Sequence, residues 1–317
     1  GVNVWGYRGP VAGRKSPGEF RIAVFGGSTA FGYGVKWEES FPAVLERRLD
    51  AAKPGGYSVV NLGYNNEGAY SFTFTMKDYA YLHYDMALLY EGYNDLMGDP
   101  SRPNLSVFRH ESPIFRATGY LPIFPIVFKE KAAMMLYGGD VGALYRDQEK
   151  TVFRPGLAAR TSAEALNVAA KVGQSLERQL GRVNAEPPRH IVDPAATGCR
   201  YPWQEYCRSI LEAVNYSLAN GTPVLVATQP YEAGAGLRER HVEQQAEMSA
   251  MLARRFGGDA RVAYVNLGDV IEVSDPTLSF DRMHLTAAGN AKLASALVAP
   301  VMSMAGRRTT AGDRVEH

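Results

Sequence analysis

A serine follows two glycines in Gly26-Gly27-Ser28-Thr29-Ala30-Phe31-Gly32, where the short apolar run 21–25 ends. Paired glycines permit a tight turn and a close backbone approach, and a serine there projects its hydroxyl from the end of the strand. Taken alone, the stretch also fits a phosphate-binding glycine loop or a plain helix cap. It is not a Walker A loop, because no Gly-Lys-Ser/Thr follows, and no G-x-G-x-x-G aligns with it. Near the C-terminus, Phe280-Asp281-Arg282-Met283-His284-Leu285-Thr286 sets a carboxylate three residues before a histidine. In a bent loop such an Asp accepts the imidazole Nδ1–H and leaves Nε2 free as a base. A local Asx or capping arrangement is the alternative. Asn94, in Glu91-Gly92-Tyr93-Asn94-Asp95, follows an apolar segment and can donate its amide into a crevice; an Asx-turn is the other reading of that pair.

The elements that must position these residues alternate in type. Strand character recurs at 21–25, 58–62, 86–90, 223–228 and 261–267. Helical spacing is read at 41–52, 70–83 and 237–256, and in a last helix capped by Thr286 and running to about residue 304. Such alternation predicts a parallel sheet covered by helices on both faces. In an open parallel sheet, ligands bind beyond the carboxyl ends of the strands, which is where Ser28, Asn94 and the 61–68 loop would lie. Residues 98–197 break the rhythm. They hold the apolar run 120–128, a helix expected over 162–183 and the Pro187-Pro188 breaker, and are read as an insertion between strands three and four. That insertion is expected to cap one end of the sheet or to extend the core. Residues 306–317 are expected to form a disordered tail, leaving 1–97 and 198–305 as one discontinuous domain.

Composition narrows the classes. Of 317 residues, 46% are hydrophobic and 21% charged, as in ordinary globular proteins, and the net charge of +1 gives no reason to expect nucleic acid or an anionic membrane as partner. No run of about 18 apolar residues suggests a membrane-spanning helix. Two cysteines, Cys199 and Cys207, are too few for a zinc site without nearby histidines, so no metal is expected. They are either separate buried thiols or a short-range disulfide, which would imply an oxidising compartment.

In combination the short motifs say more than each does alone. Ser28 after strand one, a glycine after strand two, Gly92-x-Asn94-Asp95 after strand three and Asp281-x-x-His284 before the last helix resemble the four blocks of the SGNH/GDSL hydrolase family, in the expected order. The resemblance covers residues 21–297, apart from the insertion. It implies a three-layer α/β/α sandwich around a five-stranded parallel, flavodoxin-like sheet, with a largely helical insertion. It also implies a serine esterase, lipase or acylhydrolase that needs no cofactor. Ser28 matches the nucleophile, His284 the general base and Asp281 the group that orients it. The Ser28 and Gly68 N–H groups and the Asn94 amide match the oxyanion hole. Two departures stand out. The family's Gly-Asp-Ser reads Gly26-Gly27-Ser28 here, and the spacing from Asn61 to Gly68 is longer by two residues, which makes Gly63 a rival to Gly68. An O-acyltransferase or carbohydrate O-deacetylase with the same triad, or an inactive binding protein, are the alternative functions. The substrate is expected to be a small-molecule, lipid or acylated-sugar ester, its acyl part open because Phe115, Tyr120, Leu121, Phe124 and Phe128 line either a cleft or a core. Residues 3–10 resemble the lead-in of bacterial members that follow an anchor or signal, and with the cysteine pair they lead us to expect an extracytoplasmic location.

Overall fold

Five short strands run parallel in the order β2-β1-β3-β4-β5. In the computed structural model these are β1 (Phe20–Gly26), β2 (Tyr57–Asn61), β3 (Met86–Tyr90), β4 (Val224–Ala227) and β5 (Val262–Val265). The described residues are 2–3, 5–97, 99–104, 192–234 and 236–312, with Met135, Thr161, Ser162, Glu164, Ala165, Val168 and Lys171. The apolar run 120–128, most of the helix expected over 162–183 and the cap or core extension expected of 98–197 lie outside them.

The strand order is that of a flavodoxin-like, doubly wound sheet, as expected. Side-chain alternation divides the core in two. Ala23 and Phe25 of β1 face a layer made by α3 (Phe72–Asp78), α5 (Gln204–Ala219) and α6 (Leu237–Phe256), through Phe72, Met76, Ile210 and Met248. Ile22 and Val24 point the other way, onto α2 (Phe41–Ala52) and α7 (Ala287–Gly312), through Phe41, Leu45, Leu293 and Leu297. Both faces of β1 and β3 are therefore dry, which is why these strands read as near-continuous apolar runs. Two very short helices, α1 (Ser28–Phe31) and α4 (Tyr93–Leu96), start where β1 and β3 stop.

Several elements differ from expectation. Residues 70–83 do not make one helix: α3 covers seven residues, with 3₁₀ turns at Ala69–Ser71 and Ala80–Leu82. Thr73, Thr75 and the clustered aromatics lose rotamer freedom in a helix and favour it weakly. Helix α5 was not expected; its buried Tyr206, Ile210, Ala213, Val214 and Ser217 have helical spacing. The last helix is capped as predicted, with Gly289 N–H donating to Thr286 Oγ1 at 3.2 Å. It continues to Gly312 instead of ending near 304, so residues 306–312, expected in a disordered tail, are helical. The helix runs through Pro300, and 305–312 hold no further proline. Residues 192–197, assigned to the insertion, dock on α5, with Val192 N–H donating to Glu212 Oε1 at 2.9 Å. Cys199 and Cys207 are joined in a disulfide, which decides between the two readings of the pair.

The edge of β2 is covered locally. Arg8 bridges Asn61 in antiparallel fashion, its N–H donating to the Asn61 carbonyl at 3.1 Å. Glu46 of α2 accepts the Val59 N–H at 2.6 Å.

One buried group makes stability depend on pH. His241 of α6 is fully buried between Tyr93 and Tyr231. Burial, and then the Arg238 charge, push its pKa from 6.5 down to about 4. Between those values the unfolded chain binds a proton that the folded chain refuses, so stability from this residue is present above pH 6.5 and lost as pH falls toward 4. The loss is on the order of 3 kcal/mol at about 1.36 kcal/mol per pKa unit. Urea unfolding at both ends of that window should show a smaller acid loss for His241→Gln than for the parent chain; equal losses would contradict the assignment.

Candidate active site

The carboxyl ends of β1 and β3 bring the site together. β1 ends at Gly26, and the chain turns at Gly27 into α1, whose first residue is Ser28. A Cβ on Gly27 would lie 2.0 Å from Asn94 Nδ2 and 3.0 Å from the Glu67 carbonyl oxygen, so any side chain there must displace the Asn94 amide. Asn61, at the end of β2, holds the far end of α1 by donating from Nδ2 to the Ala30 carbonyl at 2.8 Å. Ser28 keeps 7% of its surface exposed. Its N–H lies in the first turn of α1, where a backbone donor has no acceptor inside the helix.

His284 reaches Ser28 from the loop before α7. Its Nε2 is 2.8 Å from Ser28 Oγ, and its Nδ1 is 2.6 Å from Asp281 Oδ2. A carboxylate only accepts, so Nδ1 carries the ring proton and Nε2 of the neutral ring accepts from the serine hydroxyl. Asp281 also accepts the backbone N–H of His284 at 2.7 Å and of Met283 at 3.1 Å. Burial alone would raise its pKa. The hydrogen bond and charge of His284, with those two N–H groups, outweigh it and hold the carboxyl below the usual range, so Asp281 stays ionised. The loop is pinned from below: Phe280 N–H and Ser279 Oγ both donate to the His284 carbonyl, at 3.1 and 2.9 Å. The imidazole lies between two rings, Tyr33 at 4.7 Å and Phe280 at 5.9 Å between centroids.

The third wall comes from the loops after β2 and β3. Asn94 Nδ2 donates to the Glu67 carbonyl at 2.9 Å, which uses one of its two amide hydrogens. Gly68 backs directly onto Asp95, whose carboxyl would sit 2.7 Å from a Cβ on it, and Asp95 accepts the next N–H, that of Ala69, at 2.9 Å. Gly63 differs: its N–H is spent on Asn61 Oδ1 at 3.0 Å.

The structure thus brings Ser28, Asp281 and His284 into one hydrogen-bonded chain and ties Asn94 to the residue before Gly68. Sequence reasoning missed Tyr33 and Gln229. Buried Gln229, just after β4, accepts the Tyr93 N–H at 2.7 Å and donates to Thr29 Oγ1 at 2.6 Å. It ties the residue after Ser28 to the residue before Asn94. Its position in the loop after a central strand was the only available signal.

No family model matches the chain, and no curated protein matches it. Among solved structures, it is similar to a carbohydrate acetylesterase from Sinorhizobium meliloti (15% identity over 90% of this chain and 100% of that one, TM-score 0.43). It is similar also to an aryl esterase from M. smegmatis (17% identity, 90% of this chain and 99% of that one, TM-score 0.42). A third is a lipolytic protein of the G-D-S-L family from Veillonella parvula (10% identity, 88% and 96%, TM-score 0.45). The chain is similar to GDSL-family lipolytic proteins and esterases.

Gly27→Ala tests the geometry directly. Its methyl must push the Asn94 amide off the Glu67 carbonyl. The variant should fold yet react with a fluorophosphonate at Ser28 about 10-fold more slowly or worse, since misplacing one positioned group costs that order of rate. An unchanged labelling rate would mean that the turn has more room than the structure allows.

Proposed function

We propose that the chain is a serine ester hydrolase of the SGNH/GDSL type, acting through an acyl-enzyme on Ser28. The observation that carries this is the unbroken Asp281–His284–Ser28 hydrogen-bonded chain, at 2.6 and 2.8 Å, beside the Asn94 amide turn. His284 takes the hydroxyl proton as Ser28 Oγ attacks the ester carbonyl carbon, and Asp281 stabilises the imidazolium that forms. The negative oxygen of the tetrahedral intermediate is held by the Ser28 N–H, the Gly68 N–H and the second hydrogen of the Asn94 amide. The intermediate collapses, the C–O bond to the alcohol breaks, and His284 gives its proton to the leaving oxygen. Water then attacks the acyl-enzyme with His284 again as base, releasing the acid and restoring Ser28. Gly63 is not the second donor in this reading, because its N–H already has an acceptor.

The family's aspartate beside the nucleophile is absent here, but neither the His284–Ser28 nor the Asp281–His284 hydrogen bond involves a side chain at position 27. The Cys199–Cys207 disulfide supports an extracytoplasmic site of action, because such bonds persist in oxidising compartments.

The test is hydrolysis of p-nitrophenyl esters from acetate to palmitate by the parent chain and by Ser28→Ala side by side. Activity that disappears in the variant supports the reading, and the optimum along the series gives the acyl length. Turnover surviving in Ser28→Ala would overturn it. Asn94→Ala should lower kcat by about 10²–10³ with the parent fold retained, the usual consequence of deleting an oxyanion donor; a change confined to KM would remove Asn94 from that role.

A further inference from the structure

We infer that Glu91 is a positioning residue for this site, its carboxyl reaching from the end of β3 into the space that a side chain at position 27 would take and bracing the Ser28 turn against the Asn94 turn. The inference rests on the reading of Ser28 as nucleophile.

Glu91 is 2% exposed, directly after β3, yet it carries a carboxyl where a strand end between two dry layers would take an apolar residue. Burying such a group is costly unless something in the structure needs it. Its Oε1 accepts the Gly92 N–H at 3.0 Å and the Asn94 N–H at 3.3 Å, the two backbone donors that open α4 and set the direction of the Asn94 side chain. Its Oε2 lies 2.7 Å from the position of a Cβ on Gly27, and the Gly27 N–H acts on the carboxyl as a hydrogen-bond donor. One carboxyl therefore touches both turns that carry the reacting groups. The resemblance to Gly-Asp-Ser lacks a polar side chain beside the nucleophile; Glu91 supplies one from the neighbouring strand, and Gly27 is the vacancy that admits it. The backbone of Glu91 is itself fixed, with Tyr206 Oη of α5 donating to its carbonyl at 3.2 Å.

Reach and acceptor geometry are what the position uses in this inference, with the Gly92, Asn94 and Gly27 N–H groups all directed at the carboxyl. Burial, and then the neighbouring Asp95 carboxyl, raise the Glu91 pKa, and Asp95 is raised by burial as well. A neutral carboxyl has the shape and the acceptor of a glutamine amide.

The test compares Glu91→Gln, Glu91→Asp and Glu91→Ala, with kcat expressed per site titrated by a fluorophosphonate, so that a smaller folded fraction does not register. Glu91→Gln should stay within about threefold of the parent. Glu91→Asp, one methylene short of the Gly27 turn, should lose about 10-fold, and Glu91→Ala about 10–100-fold, both in kcat with KM within about twofold, as expected when geometry and not binding is lost. Parent-like kcat per site in Glu91→Ala would overturn the inference. If that variant does not fold, the other two decide: an active Asp variant beside a Gln variant that has lost 10-fold or more would show that acidity, not reach, matters, and would overturn it equally. Ser28→Ala runs alongside, and residual turnover there overturns the acyl-enzyme reading itself, a different failure from a fully active Glu91→Ala.

Discussion

The separation between the turn after β1 and the turn after β3 governs the rest of this site, because Gly27 leaves no room for even one methyl group before the Asn94 amide is reached. Parallel pairing sets that separation: Gly26 pairs with Tyr90 at the last rung of the ladder, so both chains leave the sheet side by side. Ser28 and Asn94 are then two and four residues beyond paired positions, and their spacing follows from backbone register before any side-chain contact is made. Every other contact at the site refines a placement that the sheet has already fixed.

What refines it is a layer of buried polar groups at or just beyond the ends of β2, β3 and β4. Gln229 spans Thr29 and Tyr93, Asn61 holds α1, and Asp95 holds the chain after Gly68. Each such group would be a liability in an apolar core, and each is satisfied by a backbone donor or acceptor at the rim of the sheet. Because the donors and acceptors stand in place before a substrate arrives, little reorganisation is needed when charge develops on a bound carbonyl oxygen. The base is held differently. His284 is on a loop that is partly exposed, with 42% of the Asp281 side chain open to solvent, and it relies on ring contacts with Tyr33 and Phe280.

Much of this was legible in the sequence because the chemistry lies in short, contiguous motifs. Asp281 and His284 are three residues apart and their contact is local; Ser28 and Asn94 each follow a strand whose apolar run is unmistakable. The limits of β3, α2 and α6 were read to the residue, since each is long enough in its period or bounded by breakers. Gln229 and Tyr33 were not legible, because their significance comes from partners far along the chain; the two bonds of Gln229 span 200 and 136 residues. Glu91 was visible but had no reason to stand out until Gly27 was seen beside it. Helix α5 was hidden by the aromatic and proline-rich stretch that leads into it, which reads as loop. The choice between two thiols and a disulfide turned on the fold of 199–207, which spacing alone does not determine.

The lead-in before β1 has a consequence away from the chemistry. β2 is an outer strand, and an outer strand offers a row of unpaired backbone groups to any other extended chain. Here Arg8 occupies the Asn61 carbonyl and Glu46 the Val59 N–H. Arg8 is itself anchored through its guanidinium, which donates to the Val35 carbonyl at 2.5 Å and lies over the Phe31 ring. Phe31 belongs to the same short helix as Ser28, so the segment that covers this strand edge is fastened to the helix that bears the nucleophile, and shortening the chain ahead of β1 would both bare an outer strand and loosen the packing behind Ser28.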